Sequence, residues 1–73
     1  EIRIKSIDKN SNAQIAGMKP GDLLIKMDGN TLSRVDDLLE LLENKKLDER
    51  STFELKRNNK TLTVLVVFKE AKQ

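Results

Sequence analysis

The chain lacks the residue types on which most catalytic and metal sites depend. Its 73 residues include no cysteine, no histidine, no tryptophan and no tyrosine. The absence of cysteine excludes a disulfide, a thiol nucleophile and a thiolate zinc site. The absence of histidine removes the commonest general base and metal ligand. The composition therefore excludes most catalytic constellations, and it predicts neither a metal nor a cofactor.

The length of the chain limits the size of its core. A chain of 73 residues forms one domain at most, and such a domain buries only about 60% of the surface that the unfolded chain exposes. With 37% hydrophobic and 36% charged residues, the composition is that of a folded globular domain. No apolar run approaches the roughly 20 residues that a membrane span needs. We therefore expect a single domain over residues 1–73, and its abrupt start on a strand pattern indicates a piece of a larger protein.

The net charge of +2 and the pI of about 9.1 raise the question of a nucleic-acid partner. The charge is unevenly distributed: residues 1–35 carry +2, residues 36–49 carry −4 and residues 50–73 carry +4. The most helix-like segment is thus acidic, where a helix that reads a DNA groove should be basic. The aromatic residues, Phe53 and Phe68, both fit apolar strand patterns better than a base-stacking platform. Nucleic acid is therefore not an expected partner.

The first third of the chain has the pattern of a strand followed by a short helix. Ile2, Ile4 and Ile7 alternate with polar residues closely enough to predict a strand with one side toward the core. A helix is predicted over residues 13–16, capped by Ser11 or Asn12. Its predicted end is Gly17, because glycine adopts the left-handed conformation beyond a last helical turn without strain.

Turn residues divide the remaining strands. The apolar run over residues 23–27 is too short for a helix and predicts a buried strand. Asp28-Gly29 follows as a strong turn signal. Residues 52–56 and 61–68 predict two further strands, joined as a hairpin by a tight turn at Asn58-Asn59.

The clearest helix is predicted over residues 34–43. Ser33 is expected to cap it, with Asp36 at the capping-box position. Its apolar residues form two adjacent stripes, one of Val35, Leu39 and Leu42 and the other of Leu38 and Leu41. Two stripes can contact two different surfaces.

The order and spacing of these signals carry a family resemblance. The run from Asn10 to Leu24, NSNAQIAGMKPGDLL, is followed by Asp28-Gly29-Asn30, a leucine-rich helix and a closing hairpin. This pattern resembles a PDZ domain of bacterial type over nearly the whole chain. The resemblance implies an α+β fold, a small, partly open β-sandwich or barrel of four to five strands with one short and one long helix. The signature itself has a structural explanation, because small residues let the short helix lie close to the sheet.

The resemblance implies a function in peptide binding. PDZ domains bind an extended peptide, usually a C-terminus, as an added strand between a strand and the long helix. Carried onto this chain, the strand is residues 2–6 and the helix residues 34–43. The expected peptide-binding residues are Ile2, Arg3, Ile4, Lys5, Ser6, Val35, Leu39 and Leu42. Leu38 and Leu41 are expected to pack on the core; in the alternative, all five apolar helix residues are core.

The resemblance also bears on ligand specificity. Val35 lies where related domains that select a Ser or Thr side chain have a histidine, so we expect hydrophobic ligand side chains. The family's carboxylate-binding loop would precede Glu1, so residues 1–73 are expected to lack it. Either binding of a C-terminal carboxylate depends on residues before Glu1, or the domain binds internal segments.

The family context predicts the partners and the location. Bacterial PDZ domains often belong to envelope proteases of the HtrA/Deg, site-2 and C-terminal processing types. The resemblance therefore predicts a location in the cell envelope or periplasm, with any membrane anchor in parts of the parent protein outside residues 1–73. Expected partners are protein C-termini, extended hydrophobic segments and other domains of the parent protein, without direct membrane insertion. The alternative function is an assembly or docking domain of a secretion or membrane complex.

The sequence argues against a calcium-binding loop and against a serine-lysine catalytic dyad. Asp8-x-Asn10-x-Asn12 resembles the start of a calcium loop, but its sixth position is Ala13 and its twelfth is Lys19, where glycine and glutamate are required. A serine-lysine dyad is not excluded by composition, but no pattern places a lysine beside a serine in a buried site. We therefore expect a binding module and no enzyme.

Overall fold

The computed structural model describes residues 1–69, which form an antiparallel five-stranded sheet and two helices. The strands are β1 (Ile2–Arg3), β2 (Leu23–Met27), β3 (Asn30–Thr31), β4 (Arg50–Arg57) and β5 (Lys60–Val67), and the helices are α1 (Asn12–Ala16) and α2 (Val35–Glu43). The strand order is β1-β2-β4-β5, with β3 paired to β2. This open α+β architecture confirms the predicted fold class.

The core lies on one face of this sheet. The register of β2 and β4 pairs Leu24 with Leu55 and Met27 with Phe53, and all four side chains are buried. The strand pairing shifts between Leu24 and Lys26, a bulge that keeps apolar residues on the core face at both ends of β2. The core consists of Ile2, Met18, Leu24, Met27, Leu32, Phe53, Leu55 and Val66. The burial of Phe53, and the packing of Phe68 against this core, confirm the prediction that both aromatics are structural.

Both predicted tight turns are present with the expected backbone. Asp28 and Gly29 have φ of 50° and 83°, and Asn58 and Asn59 have φ of 52° and 64°. Positive φ at both central residues is the signature of the hairpin turn whose twist matches that of the flanking strands. Asn and Asp tolerate this conformation better than other non-glycine residues because their short polar side chains hydrogen-bond locally.

The caps of α1 follow the sequence signals. The Ser11 hydroxyl accepts a hydrogen bond from the Gln14 amide at 3.2 Å. At the other end Gly17 has φ of 101° and donates its amide to the Gln14 carbonyl at 3.0 Å. The helix is anchored beyond its own sequence, because the Asn12 side-chain amide donates to the Lys69 carbonyl at 3.0 Å.

The start of α2 differs from the prediction. The residue flanking the helix is Arg34, one position later than Ser33. The Asp37 carboxylate, in place of Asp36, accepts the backbone amides of both Arg34 and Ser33 at 3.1 Å. These two hydrogen bonds lower the pKa of Asp37. The predicted cap is wrong by one residue: two successive aspartates, Asp36 and Asp37, follow Ser33, and the carboxylate that accepts the free amides is the second one.

Candidate peptide-binding groove

An apolar groove of about 430 Å³ opens over the core between α2 on one side and the segment from Ile4 to the start of α1 on the other. Its floor is formed by core side chains, among them Met18, Leu24, Phe53 and Val66. Side chains of the segment between β1 and α1, including Ile7, close one end of it. Most of this lining comes from residues far apart in the chain.

The strand β1, which leads directly into the Ile4 side of the groove, is an edge strand. On one side β1 pairs with β2, and the pairing continues past the strand: the Ile4 amide donates to the Asp22 carbonyl at 2.9 Å and the Gly21 amide donates to the Ile4 carbonyl at 2.7 Å. Backbone groups of successive strand residues point in opposite directions within a sheet. The N–H and C=O of Arg3 therefore point away from β2, toward the side of β1 on which the described residues place no strand.

The side chains of residues 2–6 divide between two faces. Ile4 and Ser6 line the groove, whereas Ile2 is 7% exposed and belongs to the core beneath it. Arg3 and Lys5 are exposed and contribute no lining. Of the five strand residues expected to bind a peptide, the structure thus brings Ile4 and Ser6 to the groove and leaves Arg3 and Lys5 on the opposite face.

The α2 wall shares only Leu42 with the stripe of Val35, Leu39 and Leu42 that was expected to face the groove. Leu38 and Leu42 line the groove. Leu38 and Leu41 pack against the core, as predicted, and Leu42 does so too. Val35 and Leu39 are 55% and 49% exposed, which contradicts the alternative that all five apolar residues of the helix are core.

The placement of α2 leaves the groove accessible. None of its residues is fully buried, so the helix covers the core edge without sealing it. Leu38 and Leu42 are four residues apart and lie one above the other on the same helix face. Val35 and Leu39 have the same spacing, so hydrophobic periodicity alone does not distinguish the two pairs. The docking of the helix decides which pair faces inward.

A polar cluster fixes the end of α2 against the sheet. Lys45, just after the helix, lies with its Nζ 2.9 Å from the Asp28 carboxylate in the β2–β3 turn. The buried Ser51 hydroxyl and the Thr52 amide also donate to this carboxylate, each at 2.9 Å. Partial burial opposes ionisation of Asp28, but these three hydrogen bonds outweigh it and lower its pKa. The cluster therefore links the α2 wall to the central strands.

The site consists mainly of apolar side chains beside an open strand edge. No group of three or more acidic side chains in this part of the chain is placed to hold a metal ion. The helices described here are all too short or too polar to cross a membrane. What the site combines is an apolar groove and a strand edge with free backbone donors and acceptors, the two elements of strand addition.

Comparison with known families agrees with this geometry. The family model described as PDZ domain matches residues 1–67. No curated protein matches the chain in a sequence search. PDZ domains are non-catalytic modules that bind peptides and protein segments. Because the match covers both walls of the groove and the whole sheet, the chain belongs to the PDZ domain family.

Proposed function

We propose that this PDZ domain captures an extended hydrophobic peptide, often a C-terminus, as an additional strand along β1. The observation that carries the proposal is the adjacency of the free edge of β1 to the open groove lined by Leu38 and Leu42. Main-chain hydrogen bonds to the edge would supply affinity without regard to sequence, and side chains entering the groove would supply selectivity.

The lining of the groove favours apolar ligand side chains. Ile4, Leu38 and Leu42 present hydrocarbon to the groove from both walls. Fully burying one Leu or Val side chain contributes about 1.5–3 kcal/mol relative to leaving it exposed. Part of that gain offsets the loss of chain freedom on binding, so a peptide that inserts two apolar side chains is expected to bind much better than one that inserts a single side chain.

We propose that the peptide-binding residues predicted from the sequence contact the ligand in different ways. Ile4, Ser6 and Leu42 would contact the inserted side chains, because they line the groove. Arg3 and Lys5 would act through their backbone and their exposed side chains. Val35 and Leu39, exposed on α2, would contact the ligand only where it extends over the rim of the groove.

The experiment that tests this function is titration of the chain with a peptide library while backbone amide shifts are followed. Hydrophobic peptides are expected to shift the amides of residues 2–6 and 38–42. Each peptide is used with a free and with an amidated C-terminus. Equal binding of the two forms would indicate internal segments as ligands, whereas loss of binding on amidation would indicate carboxylate recognition. If no peptide perturbs either wall, the proposed function is wrong.

We further propose that the ligand-bound domain regulates or targets a bacterial envelope protease, a role suggested by the resemblance of the signature between Asn10 and Leu24 to the PDZ domains of such enzymes. In that role, peptide capture would either deliver substrate or report its presence to a catalytic domain. Proteolysis of a peptide-tagged substrate by the parent protein, compared before and after mutation of Leu42, would test it. The competing function is docking to another subunit, which would require the same edge to be occupied permanently.

A further inference from the structure

The face of β1 that points away from the groove is basic. Arg3 is exposed on this face, and Lys5, which is also exposed and lies two residues beyond it, continues the face by strand alternation. Neither forms an ion pair with an acidic side chain within residues 1–69. Lys56 extends the same face, because Arg3 pairs with Leu23 and Leu23 pairs with Lys56 across the sheet. Arg3 and Lys5 lie next to the edge along which a peptide would add, whereas Lys56 lies two strands further into the sheet.

Neighbouring acidic groups do not neutralise this surface. Glu54, on the same face of β4 two residues before Lys56, lies 4.0 Å from the Nζ of Lys26, so its charge is already paired. The acidic residues of α2 belong to the helix on the core side of the sheet. Glu1, two residues before Arg3, is exposed and shares this face by strand alternation, but it forms no ion pair within residues 1–69. One side of an added strand would therefore face a predominantly apolar groove, and the other side would lie beside a surface with an excess of positive charge.

Strand geometry determines which residues of a bound peptide would face the groove and which would lie beside the basic residues. Residues directly opposite each other in paired strands project to the same face, and successive residues alternate between faces. A ligand residue opposite Ile4 would enter the groove, whereas its neighbours would lie beside Arg3 and Lys5. Opposite charges across a strand pair are stabilising and like charges are destabilising.

We infer that this domain selects extended segments in which apolar residues alternate with acidic ones, the acidic side chains pairing with Lys5 and Arg3. The inference rests on the proposed strand addition and adds the chemistry of the ligand positions that point away from the groove. Lys5 carries the larger share, because the guanidinium of Arg3 is drawn toward β2 by its hydrogen bond to the Gly21 carbonyl at 3.1 Å.

Three synthetic peptides test the inference on the 73-residue chain. They share apolar residues at every second position and carry Glu, Gln or Lys at the positions between. At low salt the Glu peptide is expected to bind about two- to fivefold tighter than the Gln peptide for each acidic residue that faces β1, with the Lys peptide weakest. The preference should shrink as salt is raised toward 1 M, because these pairs are exposed to solvent.

Two charge-reversed variants locate the effect. Lys5→Glu is expected to invert the order, so that the Lys peptide binds more tightly than the Glu peptide. Arg50→Glu is the matched control: Arg50 is exposed at the start of β4, six residues before Lys56, or about 20 Å along the strand. Its reversal should leave the order unchanged.

The outcomes separate the two proposals. Binding of the Gln peptide without any preference for the Glu peptide would overturn the charge inference and leave strand addition standing. An equal effect of Arg50→Glu and Lys5→Glu would overturn it as well, since only the net charge would then matter. Failure of all three peptides to shift any amide of β1 or α2 would overturn the proposed function itself.

Discussion

Arg57 holds the buried carboxylate of Asp22 with two hydrogen bonds, from Nε to Oδ1 at 2.8 Å and from Nη2 to Oδ2 at 2.7 Å. Asp22 is 1% exposed and also accepts the Lys19 backbone amide at 2.8 Å. The same Arg57 Nη2 donates to the Gly17 carbonyl at 2.9 Å. This pair joins the end of β4 to the loop between α1 and β2. Residues of the same loop, Gly21 and Asp22, form backbone hydrogen bonds with Ile4, just after β1. The aspartate of the family signature is therefore a structural residue.

The ion pair predicts how stability depends on pH. The hydrogen bond from Arg57 lowers the pKa of Asp22, against the opposing effect of burial. The stabilisation is therefore fully present above the unfolded-state pKa of about 3.9, and it is lost as the pH falls through the lower folded-state pKa. Arg57→Gln should destabilise the domain at pH 7, because it leaves a buried carboxylate without its charged partner.

Urea unfolding followed by circular dichroism between pH 7 and pH 2 measures this difference. The gap in unfolding free energy between the original chain and Arg57→Gln should narrow as the pH falls below about 4. Lys60→Gln, which removes an exposed positive charge in the same hairpin, is the control and should give little change at any pH. If the difference in unfolding free energy between the original chain and Arg57→Gln does not depend on pH, Arg57 stabilises the domain by packing and not by its charge.

The cluster around Asp28 predicts a link between the β2–β3 turn and α2. Asp28→Asn removes the charge but keeps a residue that tolerates the φ of 50° at this position. Weakening the hydrogen bonds from Lys45 and Ser51 should lower the melting temperature by about 4–8 °C, the shift expected for roughly 1 kcal/mol in a domain of this size.

Hydrogen exchange distinguishes the local from the global effect of Asp28→Asn. The substitution should accelerate exchange of the amides near the end of α2 more than exchange of the β4 amides, because it weakens the contact between Asp28 and Lys45. Asp48→Asn is a matched control for the removal of an aspartate charge, because Asp48 also has a positive φ, of 68°, and lies between α2 and β4, in the segment that contains Lys45. Uniform acceleration across the sheet and α2 would contradict a specific role of the cluster in placing the helix.

The hairpin turn makes a prediction about folding stability alone. Asn59 has φ of 64°, a conformation that costs a β-branched residue about 1–2 kcal/mol. Asn59→Val should therefore lower the unfolding free energy by that amount, whereas Asn59→Gly should leave it unchanged or raise it, since Asn-Gly is the preferred sequence for this turn. Chemical denaturation of the two variants provides the measurement, and equal stabilities would contradict the assigned turn.

The two leucines of α2 that differ in placement predict different binding phenotypes. Leu42 lines the groove, whereas Leu39 is 49% exposed. Leu42→Ser should weaken binding of a hydrophobic peptide at least tenfold, because it removes apolar contact inside the groove, and Leu39→Ser should change it less than threefold. Calorimetric titration compares them, with amide spectra as the check on folding. A larger loss for Leu39→Ser would instead support the stripe of Val35, Leu39 and Leu42 as the binding face.

Local signals in the sequence were sufficient for much of the fold. Ser11 and Gly17 mark the two ends of α1, and both could be predicted because capping depends on backbone groups within a few residues. The turns at Asp28-Gly29 and Asn58-Asn59 could be predicted because Gly, Asn and Asp adopt positive φ more readily than other residue types. The order of these elements also carried the PDZ resemblance and, with it, the location of the groove between residues 2–6 and the long helix.

Contacts between distant residues were decided by the tertiary structure. The partnership of Asp22 with Arg57 spans 35 positions, and no local pattern distinguishes Arg57 from the other basic residues of the hairpin. The rotation of α2 belongs to the same class: leucines on two stripes have equal hydrophobicity, and only docking on the core turns Leu38 and Leu42 inward and leaves Leu39 outside. Which elements form, and in what order, thus follows from local residue patterns, because those choices depend on backbone geometry over a few residues. Only the packing of the elements determined which side chains face the groove.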